Sequence, residues 1–497
     1  MTTYVTVAIP YVNAQPHLGY AYELVLADVY ARTRRRAGDA VRFLGGTDDY
    51  SLKNVLAAEA AGVPTLQFVD EHAARFQALA EPLDLSFDDF IRTSADDRHA
   101  PAVERLWRAC AANRDLYKRA YEGDYCVGCE QFYTATDLVG GLCPEHGTPT
   151  ERVAEENWFF RLSAYQDHLE RLVGSGELAV QPEPFRQEVL GWLCRGVEDI
   201  SVSRSVARAR GWGIGVPDDP SQVIYVWFDA LTNYISSLRF GDPRSDDYRR
   251  WWLESDRRVH VIGKGILRFH ALYWPAFLAS AGQPPPTRIQ VHPYLTAGGE
   301  KLSKSGTTTV GPARIAADFG TDALRWWFAS EVGAVADTDF TIERLVARAN
   351  EDLANGLGNV TNRVVTLIYR YRGGLLPQVR AEPLDAARDL EGHVRRALVD
   401  FDLRRAAQLI SDAVTALNRD LEISQPWVIA KAEDVGRPAA GRELDVLLVR
   451  HLLTARAIAS AATPIVPGLA ARLLDQLGND RRVSQPRPAF LRIGGPD

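Results

Sequence analysis

The sequence predicts an α/β protein with a doubly wound parallel sheet, an inserted domain and a C-terminal all-α domain. Three observations predict it. Strand-like and helical patterns alternate up to about residue 116; the alternation lapses into turn-rich sequence and resumes after about residue 222; from about residue 345 the pattern is helical throughout. At 497 residues the chain is too long for one core and has room for several domains of about 100–200 residues.

The first element is an apolar strand in "VTVAIP", which runs through a turn containing His17 and Gly19 into a helix. A strand that ends in a turn and opens a helix presents backbone N–H groups and the positive end of the helix dipole, a ready site for phosphate. The run "RTRRR" at 32–36, just before Gly38, reads as a basic last helical turn with a glycine cap. Residues 1–116 form the first half of the sheet domain and 117–222 the insertion. The sheet resumes over 223–325, with strands in "HVIGK" (260–264) and "RIQVHPYL" (288–295). Residues 326–345 form a connecting segment, and 346–497 a helical domain.

Composition narrows the class. With 46% hydrophobic and 24% charged residues the chain reads as an ordinary globular protein, and its net charge of −7 argues against a uniformly basic nucleic-acid binder without excluding a local site. No apolar run is long enough to span a membrane, and the first residues enter a strand directly without a signal-peptide pattern. A cytoplasmic protein is expected.

The five cysteines are too few for a disulfide framework. Four positions in "YCVGCEQFYTATDLVGGLCPEHG" have the spacing of metal ligands: Cys126 and Cys129 form one knuckle, Cys143 and His146 the other, and 13 residues separate them. That pattern lets two knuckles close a tetrahedron around Zn²⁺. With four protein ligands there is no open coordination position, so the zinc is expected to be structural. Cys110 and Cys194 lack such partners and are expected to be buried packing residues.

Lysine usage marks a second informative stretch. Of 57 basic residues only six are lysine, and two of these, Lys301 and Lys304, fall in "GGEKLSKSGTTT". A compact ammonium fits between phosphate oxygens where a planar guanidinium does not, so lysine retained here implies a role that arginine cannot fill.

His17-Leu18-Gly19-Tyr20 and Lys301-Leu302-Ser303-Lys304-Ser305 resemble the two signatures of class I aminoacyl-tRNA synthetases. The segments "FLGGTDDYSLK", "YVWFDALTNYISS", "HVIGKGILRFHALYWPAFL" and "DFGTDALRWWFASEV" narrow the resemblance to the methionyl-tRNA synthetase family, in order from residue 4 to about 431. The resemblance implies a Rossmann-like sheet and ATP-dependent activation of methionine, followed by transfer to the 3′ end of methionine tRNA, with Mg²⁺ accompanying ATP and one structural Zn²⁺ in the insertion.

It further implies that His17, Lys301 and Lys304 stabilise charge growing on the triphosphate during in-line attack on the α-phosphate. Gly19, Tyr20, Gly263, Gly265, Ser303 and Ser305 would flank the nucleotide. Gly19 would let it lie against the backbone. Asp48 would pair with the substrate ammonium, and Ile9, Tyr11, Trp227, Tyr234 and His270 would surround the thioether, which favours aromatic walls. In the helical domain basic and acidic side chains nearly balance, so recognition of tRNA would rest on single residues. "NGLGNVTNR" and "LNRDLEISQPW" resemble anticodon-reading segments, in which Asn359 and Arg363 would meet base edges and Trp427 would stack on a splayed base. A monomer is expected, since the sequence ends soon after this domain.

Three departures cluster around the nucleotide. Tyr20 replaces a second histidine, Tyr50 and Ser51 stand where histidine and glycine are usual, and Gly265 replaces a carboxylate expected to hold the ribose. Two other readings follow: a paralogue that adenylates an amino acid for a non-tRNA acceptor, and a catalytically weak tRNA-binding or regulatory protein. Retained His17, Lys301 and Lys304 speak against the latter; Asn359, Arg363 and Trp427 speak against the former. Met1 is the only methionine of the chain and Leu302 fills a signature position usual for another, which suggests expression under methionine scarcity.

Overall fold

The computed structural model describes residues 1–126, 131–133, 137–144, 147–242, 244–297, 300–301, 311–437, 439–479 and 481–494. Strand β1 (Thr2–Val7) leads into helix α1 (Leu18–Arg36), strand β2 (Ala40–Thr47), helices α2 (Leu52–Ala61) and α3 (Thr65–Gln77), strand β3 (Asp89–Arg92) and helix α4 (His99–Ala112). The chain returns to the same sheet with strands Ala179–Gln181, Arg257–Gly263 and Arg288–His292. The six strands run in the order β3, β2, β1, Arg257–Gly263, Arg288–His292, Ala179–Gln181. Every neighbouring pair is parallel.

β1 is buried from Thr3 to Val7, as a strand covered on both faces must be. From β1 the chain builds outward to one side and later resumes on the other, pairing Val5 with both Phe43 and Val259. The strand order therefore reverses between β1 and Arg257–Gly263, and open α/β sheets bind ligands outside the carboxyl ends of their strands at such a switch point.

Two apolar cores flank the sheet. One joins β1, α1 and α3 to helix Thr321–Glu331 and the C-terminal helices. The other joins α4, the helices Val226–Ser236 and Trp274–Ser280, and Phe160 and Leu162 of the insertion. α1 lies inside the first core and is buried on nearly every side, which explains its apolar and tyrosine-rich composition. It ends in Arg34, Arg35 and Arg36, with Gly38 at a φ of 87°, as the basic run anticipated.

The insertion departs from the turn-rich reading. It contains an antiparallel ribbon of Leu116–Cys126 and Glu151–Phe160, paired from Leu116–Phe160 to Tyr125–Glu151. It also supplies Ala179–Gln181 to the edge of the main sheet. The ribbon carries charges on its exposed positions and follows no clean apolar period, so its strands are silent to a periodicity reading. The C-terminal region packs as helices Asn359–Arg372, Leu390–Val399, Leu403–Ser424, Pro426–Asp434, Ala440–Ala462 and Pro467–Leu477. Among the described residues no helix is long and apolar enough to cross a membrane.

Candidate functional site

His17 caps α1. Its extended backbone (φ −102°, ψ 166°) lets the ring turn back over the first helical turn, where Nδ1 accepts the Tyr20 N–H at 3.1 Å. A neutral imidazole accepting at Nδ1 carries its hydrogen on Nε2. A Cβ at Gly19 would lie 3.1 Å from this ring, so glycine here keeps the histidine in place as much as it opens the backbone. Tyr20 is buried, with its ring against Phe76 and its hydroxyl 3.5 Å from the Gly46 carbonyl oxygen. It presents its backbone to the turn.

Sequence reasoning missed Glu23. This buried carboxylate accepts the Ala8 N–H (2.8 Å) through Oε1, and through Oε2 it meets the Gly263 N–H (3.1 Å) and His292 Nε2 (3.0 Å). It thereby ties together the carboxyl ends of β1, Arg257–Gly263 and Arg288–His292. Its signal was a carboxylate one helical turn beyond Gly19 in an otherwise apolar and tyrosine-rich helix face. Gly263 and Gly265 flank Lys264 in the turn that follows Arg257–Gly263, and Gly265 is exposed.

Of the residues expected to bind the amino acid, Ile9, Tyr11 and Asp48 lie across the β1–β2 boundary. Tyr11 bridges to Asp48, whose backbone N–H donates to the Pro10 carbonyl at 3.0 Å. Asp48 is 1% exposed and accepts the Tyr50 N–H at 3.1 Å. Asn54 braces this corner by donating to the carbonyls of Asp48 (3.0 Å) and Asp49 (2.9 Å). Ile9 lies beside Gly46, where a Cβ would come 2.9 Å from the Ile9 side chain and 2.5 Å from the Ile91 carbonyl oxygen.

Trp227 stacks on Phe269 with ring centroids 3.7 Å apart and meets His270 edge-on at 6.3 Å. His270 sits on a wide π-type turn, Phe269–Tyr273. Its Nδ1 lies 2.9 Å from the Ile266 carbonyl, which only accepts, so Nδ1 carries the hydrogen; Nε2 accepts from the Tyr234 hydroxyl at 2.8 Å. Complete burial lowers the His270 pKa to about 4 against a weaker opposing effect of the Ile266 hydrogen bond, and the ring is neutral near pH 7. Behind it His260, also buried, accepts from Trp274 Nε1 (3.2 Å) and bonds Thr6 Oγ1 (2.7 Å). The two aromatic segments predicted from far apart in the chain thus meet as one wall of fixed hydrogen-bond polarity.

Lys301 enters by its backbone, in register with Thr296 in the strand pair Leu295–Ala297 and Glu300–Lys301. Ser303, Lys304 and Ser305 lie outside the described residues. In the insertion Cys126 and Cys143, each 1% exposed, share one small buried cluster with Tyr133, whose hydroxyl lies 3.7 Å from Cys143 Sγ. Cys129 and His146 lie outside the described residues. Among the described residues no three His, Cys, Asp or Glu side chains gather as a metal site. Cys110 is buried, its thiol pushed up to about 12 chiefly by desolvation, whereas Cys194 is exposed at the end of helix Glu183–Cys194, contrary to expectation.

Asn359 and Arg363 share one face of helix Asn359–Arg372, with Asn359 exposed and Arg363 Nη1 bonded to Asn418 Oδ1 at 2.8 Å. Trp427, at the start of helix Pro426–Asp434, is 36% exposed and neighbours in sequence the exposed Ile423 and Val428. An aromatic left this open is not packed as a plug between helices.

Comparison with known proteins gives the family. The sequence model of the family described as tRNA synthetases class I (M) matches residues 3–153 and 145–365. The chain is 40% identical over 487 residues to a methionine–tRNA ligase of Mycobacterium tuberculosis (strain CDC 1551 / Oshkosh), covering 96% of this chain and 92% of the relative. It is 37% identical to that of Caldanaerobacter subterraneus subsp. tengcongensis over 483 residues, 96% of this chain and 74% of the relative. The structure of Mycobacterium tuberculosis methionyl-tRNA synthetase in complex with methionyl-adenylate superposes with a TM-score of 0.91 and 37% identity, covering 99% of this chain and 100% of that one. Its apo form gives 0.85 and 35%, over 100% of this chain and 99% of that one. The chain belongs to the class I tRNA synthetases of the methionine type, the family of the methionine–tRNA ligases.

Proposed function

We propose that this protein is a methionine–tRNA ligase that activates methionine with ATP to methionyl-adenylate and transfers it to the 3′ end of methionine tRNA. The observation that carries the reading is the near-full-length similarity to methionine–tRNA ligases, in fold and in sequence, including a structure holding methionyl-adenylate. Local geometry supports it: the His17 ring is held by the Tyr20 N–H, and the Tyr234–His270–Trp227 wall by a hydrogen bond and an edge-on ring contact.

In this reading ATP lies at the switch point between β1 and Arg257–Gly263. His17 Nε2–H and the positive charges of Lys301 and Lys304 would stabilise the triphosphate, where negative charge grows as the carboxylate attacks and pyrophosphate leaves. Gly19, Tyr20, Gly263, Gly265, Ser303 and Ser305 line the nucleotide, Tyr20 acting through the N–H that orients the His17 ring. Asp48 receives the substrate ammonium. Ile9, Tyr11, Trp227, Tyr234 and His270 enclose the thioether, and the neutral His270 adds no charge to repel or desolvate it. Asn359, Arg363 and Trp427 read the anticodon.

Mg²⁺ would accompany ATP and screen its phosphates. A structural Zn²⁺ would be held by Cys126, Cys129, Cys143 and His146; the burial of two thiols in one small cluster fits that role. We place the enzyme in the cytoplasm as a monomer. The deciding experiment is methionine-dependent exchange of labelled pyrophosphate into ATP, followed by charging of initiator and elongator methionine tRNA. Exchange without charging favours the non-tRNA acceptor; silence in both assays favours a regulatory tRNA binder.

A further inference from the structure

Lys264 is one of only six lysines, and neither the nucleotide nor the amino-acid reading gives it a task. Its Nζ is chelated by both carboxylate oxygens of Asp337, at 2.8 and 2.9 Å, and lies 4.6 Å from the centre of the Tyr294 ring. A compact ammonium suits this seat between one carboxylate and one aromatic face; the longer guanidinium fork would push the two apart.

Asp337 does more than pair with a charge. Its Oδ1 also accepts the Tyr294 N–H at 2.9 Å. Tyr294 is the residue before strand Leu295–Ala297, which pairs in parallel with Thr338–Asp339, the two residues after Asp337. The same strand pairs antiparallel with Glu300–Lys301, so Thr296 is in register with both Asp339 and Lys301. Thr296 Oγ1 locks the register by donating to Asp339 Oδ1 at 2.9 Å. On its other side Lys264 follows Gly263, whose N–H is held by Glu23. One carboxylate therefore joins the turn at the end of Arg257–Gly263 to the root of the strand pair that carries Lys301.

We infer that Asp337 is a positioning residue that sets Lys301 against the nucleotide turn, with Lys264 as its counter-charge. The inference rests on the reading of Lys301 as a triphosphate ligand. Lys264 and Asp337 keep 31% and 36% of their side chains exposed, and an ion pair that open to water adds little to folding stability. What the pair supplies is geometry, and displacement of a reacting group by about 1 Å can cost about 100-fold in rate.

The test uses Asp337→Asn, which keeps an acceptor for the Tyr294 N–H and removes the charge that holds Lys264. In methionine-dependent pyrophosphate exchange its kcat should fall about 10- to 100-fold while KM for methionine and the melting temperature stay near wild type. Asp337→Asn should cost little further rate when Lys301→Ala is already present, because both act on one group. Amide hydrogen exchange over residues 294–301 should speed up about tenfold in the variant, a readout independent of activity. Wild-type exchange kinetics, full additivity with Lys301→Ala, or unchanged amide protection would each overturn the inference; absence of pyrophosphate exchange in the wild-type protein would instead overturn the proposed function.

Discussion

Asp28 and Arg325 form an ion pair with both side chains fully buried, Oδ2 to Nη2 at 2.7 Å, across the boundary between the sheet domain and the helices that follow it. Every donor of the guanidinium is used: Nε bonds the Ile465 carbonyl at 2.8 Å, Nη1 those of Leu83 and Asp84 at 2.9 and 3.2 Å, and Nη2 that of Pro464 at 3.1 Å besides Asp28. Burial alone would raise the Asp28 pKa, but Arg325, Arg32 and the Ser86 hydroxyl outweigh it and hold the carboxyl below its usual range. Asp28→Asn strands a buried cation and should destabilise the protein by about 3–5 kcal/mol. Arg325→Met strands the Asp28 carboxylate and the four carbonyls, and the double variant Asp28→Asn/Arg325→Met should cost less than the sum of the two single variants. Urea unfolding of the four proteins checks this, and fully additive losses would refute it.

Gly19→Ala separates stability from catalysis. Alanine is favoured over glycine in a helix by about 1 kcal/mol, so the melting temperature should hold or rise. The new methyl would stand 3.1 Å from the His17 ring and push it from its seat on the Tyr20 N–H. Pyrophosphate exchange should drop by about 10- to 100-fold, the scale of a reacting group displaced by up to about 1 Å. A variant as active as wild type would show that the ring position does not matter.

The buried neutral His270 predicts a pH signature. Its folded pKa is depressed to about 4, while the unfolded chain takes up a proton near 6.5. Between those values the unfolded state binds more protons, so the contribution is fully present above pH 6.5 and is lost as pH falls toward 4. The full loss is about 3 kcal/mol at 1.4 kcal/mol per unit. His270→Gln should flatten the stability profile in that window relative to wild type; parallel profiles would contradict the assignment.

Trp427→Ala should leave methionine-dependent pyrophosphate exchange intact and reduce tRNA charging about 5- to 150-fold, matching the roughly 1–3 kcal/mol of one base–aromatic stack. Charging at the wild-type rate would remove Trp427 from the recognition surface.

The purified protein should carry one tightly held zinc. Its removal by chelator, or Cys143→Ser, should speed amide exchange across residues 121–150 while leaving β1 and α1 protected. Metal analysis that finds no zinc in freshly prepared protein would overturn the four-ligand assignment.

The sequence revealed elements whose cause is local. β1 reads as a strand because β-branched and aromatic residues fill Thr2–Val7, and α1 is marked at its start by the turn with His17 and Gly19 and at its end by an arginine turn and Gly38. What it hid is set by distant partners. Glu23 is legible only once Ala8, Gly263 and His292 are brought to it from three strands. The inserted ribbon lacks an apolar period because adjacent charged residues put charge on both of its faces, and Ala179–Gln181 joins the sheet only after the fold returns it there. Arg325 sits in a segment recognisable as helix, yet nothing in that segment says that its guanidinium will be fully buried. Cys194 failed as a packing prediction because it falls on the outward face at the end of helix Glu183–Cys194, where its neighbour Leu193 takes the buried position.

α1 bears His17 and Glu23 near one end and Asp28, Arg32 and Arg36 toward the other, all on a continuous rod. Adding or removing one residue between Glu23 and Asp28 would rotate one group against the other by about 100°. Its length is thereby frozen while the surrounding loops are free to vary. A hybrid enzyme that borrows its C-terminal half from a relative must inherit the carbonyl seats of Arg325 along with it, or the exchange will be felt at the far end of the rod.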